Sequence, residues 1–278
     1  LEEAAELAGE CFYSVVNVAT SSSEASDRES LSLGQSQDDL VSTVAKANPD
    51  GAVVSVVTPG AVLMPWISEV KSVVVSWLPG QEAGNALADV LFGVVNPSAR
   101  LPVTMPNVEN EIEFTKLQFP GVGLLQPRAV YSEELLIGYR WYDSHHVTPA
   151  FSFGHGLSYT TFEYSDIKLS RESSGPDSDA VVVEFVVENA GDRLGGEVAQ
   201  LYLAFPEKAE EPPKLLKRFS KVTLEPGESF AIAMELSSLD FSVWDSALHA
   251  WAVVDGEFKV LVGASSSDIR LIGSFLVA

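Results

Sequence analysis

A serine-rich stretch near the start of the chain carries the residues best suited to chemistry. Residues 21–31 read SSSEASDRESL and follow an apolar run at residues 12–19. The stretch contains Glu24 and, three residues later, the adjacent pair Asp27 and Arg28. A carboxyl group can donate and accept protons, whereas arginine and serine side chains donate hydrogen bonds to ligands or to the turns that hold them. Open α/β sheets bind ligands in loops at the carboxyl ends of their strands, so this loop is the first candidate site.

The charge of the chain excludes several classes of partner. Among its 278 residues 39 are acidic and 17 are lysine or arginine, for a net charge of −22. Nucleic acids and anionic membranes would be repelled, and the apolar runs have the length of strands rather than of bilayer spans. We therefore expect no nucleic-acid partner and no membrane insertion, while neutral ligands and cations stay open.

The sequence gives little support for a metal or a cofactor. The single cysteine, Cys11, excludes an internal disulfide framework and a cysteine-based zinc site. The helical pattern around it predicts a buried, small hydrophobic residue. The histidines lack carboxylates at ligand spacing, since His145 and His146 lie in a polar segment and the other two are isolated. We predict no metal and no cofactor.

Valine-rich runs alternate with helical patterns in the first hundred residues. The predicted order is helix 1–11, strand 12–20, helix 35–47, strand 52–58, a helical stretch around Trp66, strand 72–78 and helix 81–92. This alternation predicts a mostly parallel sheet with helices on both faces. No strand precedes the first helix, so we expect a partial α/β sandwich domain over residues 1–106, belonging to a longer protein.

The character of the sequence changes twice after residue 106. Residues 107–158 are rich in proline, glycine and aromatics and predict an irregular connecting segment. Residues 159–278 contain about seven short β runs, at residues 180–191, 196–205, 214–224, 229–236, 249–256, 257–266 and 269–277. Short alternating strands separated by turn signals predict a β-sandwich, so the expected fold class is α/β plus all-β.

Several long motifs follow one another between residues 77 and 206. They are WLPGQEAGNALADVLFGVVNPSARLPVTMP at 77–106, VYSEELLIGYRWYD at 130–143, FSFGHGLSYTTFEYS at 151–165 and VENAGDRLGGEVAQLYLAFP at 187–206. In this order they resemble the carboxyl-terminal half of family 3 glycoside hydrolases, the β-glucosidase and β-xylosidase group. The resemblance covers nearly the whole chain and implies an α/β sandwich domain followed by a fibronectin type III-like β-sandwich.

The resemblance also gives the serine-rich loop a role. Many family members carry their acid/base glutamate in a Glu-Gly-x-Asp-Arg loop, which here reads EASDR from Glu24 to Arg28. The resemblance implies that Glu24 is the general acid/base and that Asp27 and Arg28 structure the loop. Ala25 replaces the glycine, and a positive φ at this position would strain alanine but not glycine.

Other residues in the chain are weaker candidates for sugar binding or for catalysis. Ser22 and Ser23 either bind a sugar hydroxyl or satisfy the backbone of the turn. Other carboxylates with a weaker claim to catalysis are Glu82, Glu133 and Glu134. Aromatic residues that either stack on a sugar or form core and interface are Trp66, Trp77, Tyr139, Trp141 and Tyr142.

The function implied by the resemblance is that of a retaining, exo-acting β-glucosidase on terminal β-D-glucosides. Such an enzyme needs a second carboxylate about 5 Å from the acid/base. The family carries that nucleophile in a Ser-Asp-Trp motif on a preceding barrel, and this chain contains no such motif. We therefore predict that the chain alone is inactive and that its partners are a carbohydrate substrate and an N-terminal barrel in cis.

Three points stay open from the sequence. Xylosides or other β-sugars remain alternative substrates, because the resemblance places most sugar-recognition residues in the barrel. A non-catalytic binding module and a degenerate glycosidase are the alternative functions. The compartment is not defined by the sequence, although the resemblance favours secretion.

Overall fold

The computed structural model describes residues 1–25, 28–123, 126–171 and 180–278. Within these ranges the chain forms two compact units. The first comprises residues 1–88, 105–116 and 149–151, and the second comprises residues 89–104, 117–148 and 152–278. None of the helices in the described ranges has the length and apolar character needed to cross a bilayer.

The first unit is built around a three-stranded parallel sheet with the order β1-β2-β3. Its elements are α1 (Glu2–Glu10), β1 (Ser14–Ala19), α2 (Gln35–Ala47), β2 (Ala52–Val57), a 3-10 turn (Ile67–Glu69) and β3 (Ser72–Ser76), followed by α3 (Ala83–Leu91). On one face of the sheet Val16, Val54 and Val56 are buried, and α2 buries Val41 and Val44. Helix α2 contacts β1 and β2, and α1 packs on α2.

The second unit is a β-sandwich. Its elements are α4 (Tyr139–His145), β4 (Phe162–Arg171), β5 (Val181–Asn189), β6 (Gly195–Ala204), β7 (Leu215–Leu224), β8 (Ser229–Leu236), β9 (Ser242–Asp245), β10 (Ala250–Val253), β11 (Gly256–Gly263) and β12 (Ile269–Val277). One sheet has the order β12-β11-β6-β7, a second has the order β4-β5-β8, and β9 and β10 form a hairpin. Alternate residues of facing strands, such as Phe185, Leu201 and Val260, fill the core between the sheets.

The α/β plus β-sandwich fold class predicted from the sequence is confirmed. Within the described ranges the sandwich unit has nine strands rather than about seven, because β4 and β9 were not recognised. Strand β4 contains a register shift between Ser165 and Lys168, and Asp166 has a φ of 57°, so the apolar period is interrupted. Strand β9 has only four residues and follows a 3-10 turn. The predicted domain boundaries after residues 106 and 158 stay predictions.

Two local predictions in the first unit are wrong. Cys11 is exposed rather than buried, because α1 ends at Glu10 and the backbone of Cys11 is already extended, with φ −98° and ψ 146°. Cys11 therefore does not continue the helical face on which Ala8 is buried. The helical stretch expected around Trp66 is a single 3-10 turn.

Candidate active site

The serine-rich loop follows β1, at the edge of the sheet where the three parallel strands of the first unit end. The Thr20 amide donates a hydrogen bond to the Val57 carbonyl at 3.0 Å, and the Thr58 amide donates to the Ser76 carbonyl at 3.1 Å. These bonds continue the ladder just beyond the carboxyl ends of β1, β2 and β3. The loop therefore opens at the edge of the sheet where α/β proteins bind ligands.

A pocket of about 550 Å³ lies at this edge. The residues that line it are Thr20, Ser21, Ser22, Ser23, Glu24, Ala25, Pro59 and Leu78. The structure thus brings the predicted acid/base Glu24 together with Ser22 and Ser23, and all three are exposed. Glu24 is the single carboxylate among these lining residues, so the described part of the lining combines one proton-transfer group with several hydroxyl groups.

Ala25 has a φ of 63°, in the left-handed region. A side chain with a Cβ adopts this conformation at a cost of about 1–2 kcal/mol, which glycine does not incur. The position therefore has the backbone geometry for which the family's glycine is suited, and alanine is held there under strain. Strained positions of this kind cluster at functional loops.

Arg28 anchors the loop on the C-terminal side of Glu24. Its Nη2 donates a hydrogen bond to the Ala61 carbonyl at 2.8 Å, in the segment that follows β2. Its Nη1 is buried and has no hydrogen-bond partner among the residues that the structure describes. Asp27, the other residue expected to structure the loop, lies outside the described residues.

Two residues that hold the loop were not found from the sequence. Gln37, in the first turn of α2, accepts a hydrogen bond from the Ala19 amide at 2.8 Å and donates to the carbonyls of Ala19 and Leu33 at 3.0 and 2.5 Å. It therefore joins the end of β1 to the start of α2. No local pattern marks a glutamine at the start of a helix for this role.

The second of these residues is Glu109, which is far from the loop in sequence. Its Oε2 accepts hydrogen bonds from the Ser30 hydroxyl at 2.6 Å and from the Leu31 amide at 2.8 Å. Glu109 is about 80 residues from Ser30 in the sequence, and it lies in a segment without hydrophobic periodicity. Only the folded structure therefore reveals this contact.

None of the alternative carboxylates and aromatics is among the described residues that line the pocket. None of Glu82, Glu133 and Glu134 lines the pocket around Glu24. Trp66 is buried and donates through Nε1 to Asp38, which makes it a core residue.

The aromatic cluster at residues 139–142 is part of the second unit. Tyr139 stacks on Phe153 and contacts the edge of Tyr202, while Tyr142 is buried. Trp141 stacks on His145 with ring centroids 4.3 Å apart. These rings pack on neighbouring side chains of the sandwich unit, and none of them is among the residues that line the pocket around Glu24. In the described part of the chain no group of three or more histidine, cysteine or carboxylate side chains is placed to hold a metal ion.

Comparison with known proteins gives matches over the whole chain. The model of the glycosyl hydrolase family 3 C-terminal domain matches residues 1–159, and that of a fibronectin type III-like domain matches residues 197–266. The thermostable β-glucosidase B of Acetivibrio thermocellus is 42% identical over 250 residues, covering 90% of this chain and 32% of the relative. A probable β-glucosidase I of Aspergillus niger is 38% identical over 257 residues, covering 91% of this chain and 31% of the relative.

A solved structure agrees with these relatives. The crystal structure of DesR, a β-glucosidase from Streptomyces venezuelae in complex with D-glucose, matches with a TM-score of 0.92 and 36% identity, over 100% of this chain and 35% of that one. The chain thus spans about a third of the length of the relatives that it matches. Because the first family model matches more than half of its residues, the chain belongs to glycosyl hydrolase family 3, of which it comprises the C-terminal domain and the following fibronectin type III-like domain.

Proposed function

We propose that this chain is the part of a retaining, exo-acting β-glucosidase that supplies the acid/base carboxyl group, Glu24. The observation that carries the proposal is the position of Glu24 in an open pocket at the carboxyl ends of three parallel strands. Relatives and structural neighbours named as β-glucosidases support the choice of a terminal β-D-glucoside as substrate.

The chemistry assigns two tasks to Glu24. In the first step its carboxyl group protonates the departing glycosidic oxygen while a second carboxylate attacks the anomeric carbon. In the second step the Glu24 carboxylate takes a proton from water while the water oxygen attacks the anomeric carbon and displaces the second carboxylate, so that the sugar leaves with retained configuration. Among the described residues that line the pocket Glu24 is the single carboxylate, which supports a nucleophile supplied by another part of the enzyme.

We assign that nucleophile to an N-terminal barrel in cis, which would place its carboxylate about 5 Å from Glu24. In this proposal Ser22 and Ser23, which line the same pocket, bind sugar hydroxyls beside the scissile bond. Arg28 acts through its bond to the Ala61 carbonyl, which holds the loop that carries Glu24. On its own the chain is expected to fold and to show no hydrolysis.

The test compares the longer enzyme with its Glu24→Gln and Glu24→Ala variants. With p-nitrophenyl β-D-glucoside we expect kcat/KM to fall by about 10²–10⁴-fold, the usual contribution of a general acid/base. A 2,4-dinitrophenyl leaving group departs without protonation. With this substrate the rate of the first step should be nearly unchanged in the variants, and the second step should become rate-limiting. Azide should then restore turnover of the Glu24→Ala variant and give the β-glucosyl azide.

Glu29→Gln is the matched control, because Glu29 is an exposed acid in the same segment and does not line the pocket. It should retain wild-type kinetics. Full activity of Glu24→Gln on p-nitrophenyl β-D-glucoside, or hydrolysis by the isolated chain that depends on Glu24, would contradict the proposal.

The strain at Ala25 favours one alternative, a degenerate glycosidase whose loop no longer holds the acid in place. In that case the longer protein with its wild-type loop would be nearly inactive. An Ala25→Gly substitution would then raise kcat, whereas in an intact enzyme it should leave kcat nearly unchanged.

A further inference from the structure

The hairpin of β9 and β10 displays two tryptophans to solvent. Trp244 and Trp251 are directly opposite each other in the antiparallel register, with ring centroids 5.7 Å apart and an interplanar angle of 76°. Their side chains are 53% and 58% exposed. Tryptophan is highly buried on average, so a pair of half-exposed indoles on a strand pair calls for an explanation.

The two faces of the hairpin differ. Val243 packs against the core of the sandwich, and Ala252 is its cross-strand partner. Because side chains alternate along a strand, Trp244 and Trp251 point away from that core. Val253, on the same face, is 50% exposed. The exposed residues Trp244, Trp251 and Val253 are called the indole face below.

The hairpin is held in place at both ends. At its tip the Asp245 carboxylate accepts hydrogen bonds from the amides of Ala247 and Leu248 at 2.8 and 3.0 Å. At its base the Val254 amide donates to the Phe241 carbonyl at 3.1 Å. The indole face is therefore presented on a folded scaffold, and binding there would not have to order a loose loop.

The chemistry of the indole face fits a neutral ligand. It carries no charged side chain, although the chain as a whole has a net charge of −22. That charge opposes the approach of polyanions and of a second copy of the same chain. Indole rings offer an apolar surface to the C–H faces of pyranoses and an N–H group to a hydroxyl oxygen.

The size of the face argues against a protein partner. Two indoles that are 53% and 58% exposed present about 280 Å² at most. A stable protein interface buries about 800 Å² on each partner, whereas a few stacked sugar units need no more than the two rings provide.

We propose that the indole face binds neutral β-linked glucan chains at a site separate from the pocket around Glu24. The choice of glucan rests on the proposed β-glucosidase function, while the binding itself requires no catalysis. A second contact with the polymer would raise the local concentration of chain ends available to an exo-acting enzyme.

The experiment measures binding of the purified chain to a soluble, neutral mixed-linkage β-glucan by affinity electrophoresis. The wild-type chain should be retarded, and the Trp244→Ala/Trp251→Ala double variant should lose at least about tenfold in affinity, as expected for the loss of two stacked rings. Phe219→Ala is the matched control, since Phe219 is 69% exposed on β7 of the same sandwich, and it should bind like the wild type.

Unchanged circular dichroism and melting temperature of the double variant would show that both proteins are folded. Absence of retardation of the wild type, equal retardation of the double variant, or an equal loss in Phe219→Ala would overturn the proposal. So would a wild-type dimer, seen by light scattering, that the double variant loses, because the face would then join two copies. The Glu24→Gln variant of the chain should bind glucan like the wild type, so failure of the proposed chemistry and failure of glucan binding are read separately.

Discussion

At the scale of the residue, Ala25 gives the sharpest prediction. Its φ of 63° is strained for alanine, so Ala25→Gly should stabilise the folded chain. The greater freedom of glycine in the unfolded chain offsets part of that gain, which leaves an expected increase of up to about 1 kcal/mol in the free energy of unfolding. The measurement is the urea midpoint at constant m-value.

The control for this prediction is Ala88→Gly, in the interior of α3, where glycine should cost about 1 kcal/mol. The two substitutions are chemically identical, and only the backbone conformation at the site differs. Destabilisation by both would show that Ala25 is not strained in solution.

Single residues were only partly predictable from the sequence. Glu24 was singled out by its motif, and the structure places it in a pocket, although its role stays a proposal. The exposed tryptophans Trp244 and Trp251 were not singled out, whereas Trp66, considered for sugar stacking, is buried. Trp244 and Trp251 are exposed because the opposite face of their hairpin packs on the core. Local periodicity in the sequence does not predict which face of a hairpin packs on the core.

At the scale of the element, the turn after β5 depends on one buried amide. Asn189 is fully buried, and its Oδ1 accepts hydrogen bonds from the Thr160 hydroxyl at 2.6 Å and the Gly191 amide at 3.2 Å. Its Nδ2 donates to the carbonyls of Arg193 and Leu224 at 2.7 and 2.8 Å. Every hydrogen-bonding position of the side chain is used, so the amide joins the end of β5 to the end of β7 and to the residues just before β4 and β6.

Replacement of Asn189 by alanine should therefore cost about 3 kcal/mol or more, because it leaves buried carbonyls and a hydroxyl group without partners. Asn189→Asp keeps the shape but replaces both N–H donors with an acceptor, and it should cost at least as much at pH 7. Urea unfolding of the chain measures both.

Asn17→Ala, at an exposed position of β1, is the control and should change stability by no more than about 0.5 kcal/mol. A small effect of Asn189→Ala would mean that water replaces the amide.

Elements with a regular period were predicted well. Helix α2 has the predicted bounds Gln35–Ala47. The β run predicted at residues 257–266 forms β11, in which the alternate residues Phe258, Val260 and Val262 are buried. Strand β4 was missed because its bulge breaks the period of two, which is the signal on which strand prediction depends.

At the scale of the whole molecule, long-range contacts decide how the chain is divided. Residues 89–104 belong to the same compact unit as the β-sandwich, although they directly follow the α/β elements in sequence. The Leu101 amide bonds to the His155 carbonyl, and Asn96 donates to the Leu194 carbonyl 98 residues away. Such pairings join irregular segments, and no local pattern in the sequence predicts them.

One of these long-range contacts is a buried ion pair. Arg100 donates to Glu197 on β6 at 2.9 Å, and the two side chains are only 7% and 4% exposed. The other carboxylate oxygen of Glu197 accepts the Tyr164 hydroxyl at 3.0 Å. Burial and the charge of Glu197 both raise the pKa of Tyr164, so the phenol keeps its proton and remains a donor to Glu197.

Removal of both charges should therefore cost less than the sum of the two single removals. Glu197→Gln or Arg100→Met leaves a buried charge without its partner, and each should lower the free energy of unfolding by about 3–5 kcal/mol. The double variant contains no unpaired charge and keeps an acceptor for Tyr164, so its loss should fall short of the sum by at least about 2 kcal/mol. Urea unfolding of the four proteins measures this coupling.

The exposed pair Lys71 and Asp50 is the matched control, with an expected coupling below about 1 kcal/mol. If the losses at Arg100 and Glu197 were additive, the ion pair would not be what fastens residues 89–104 to the sandwich.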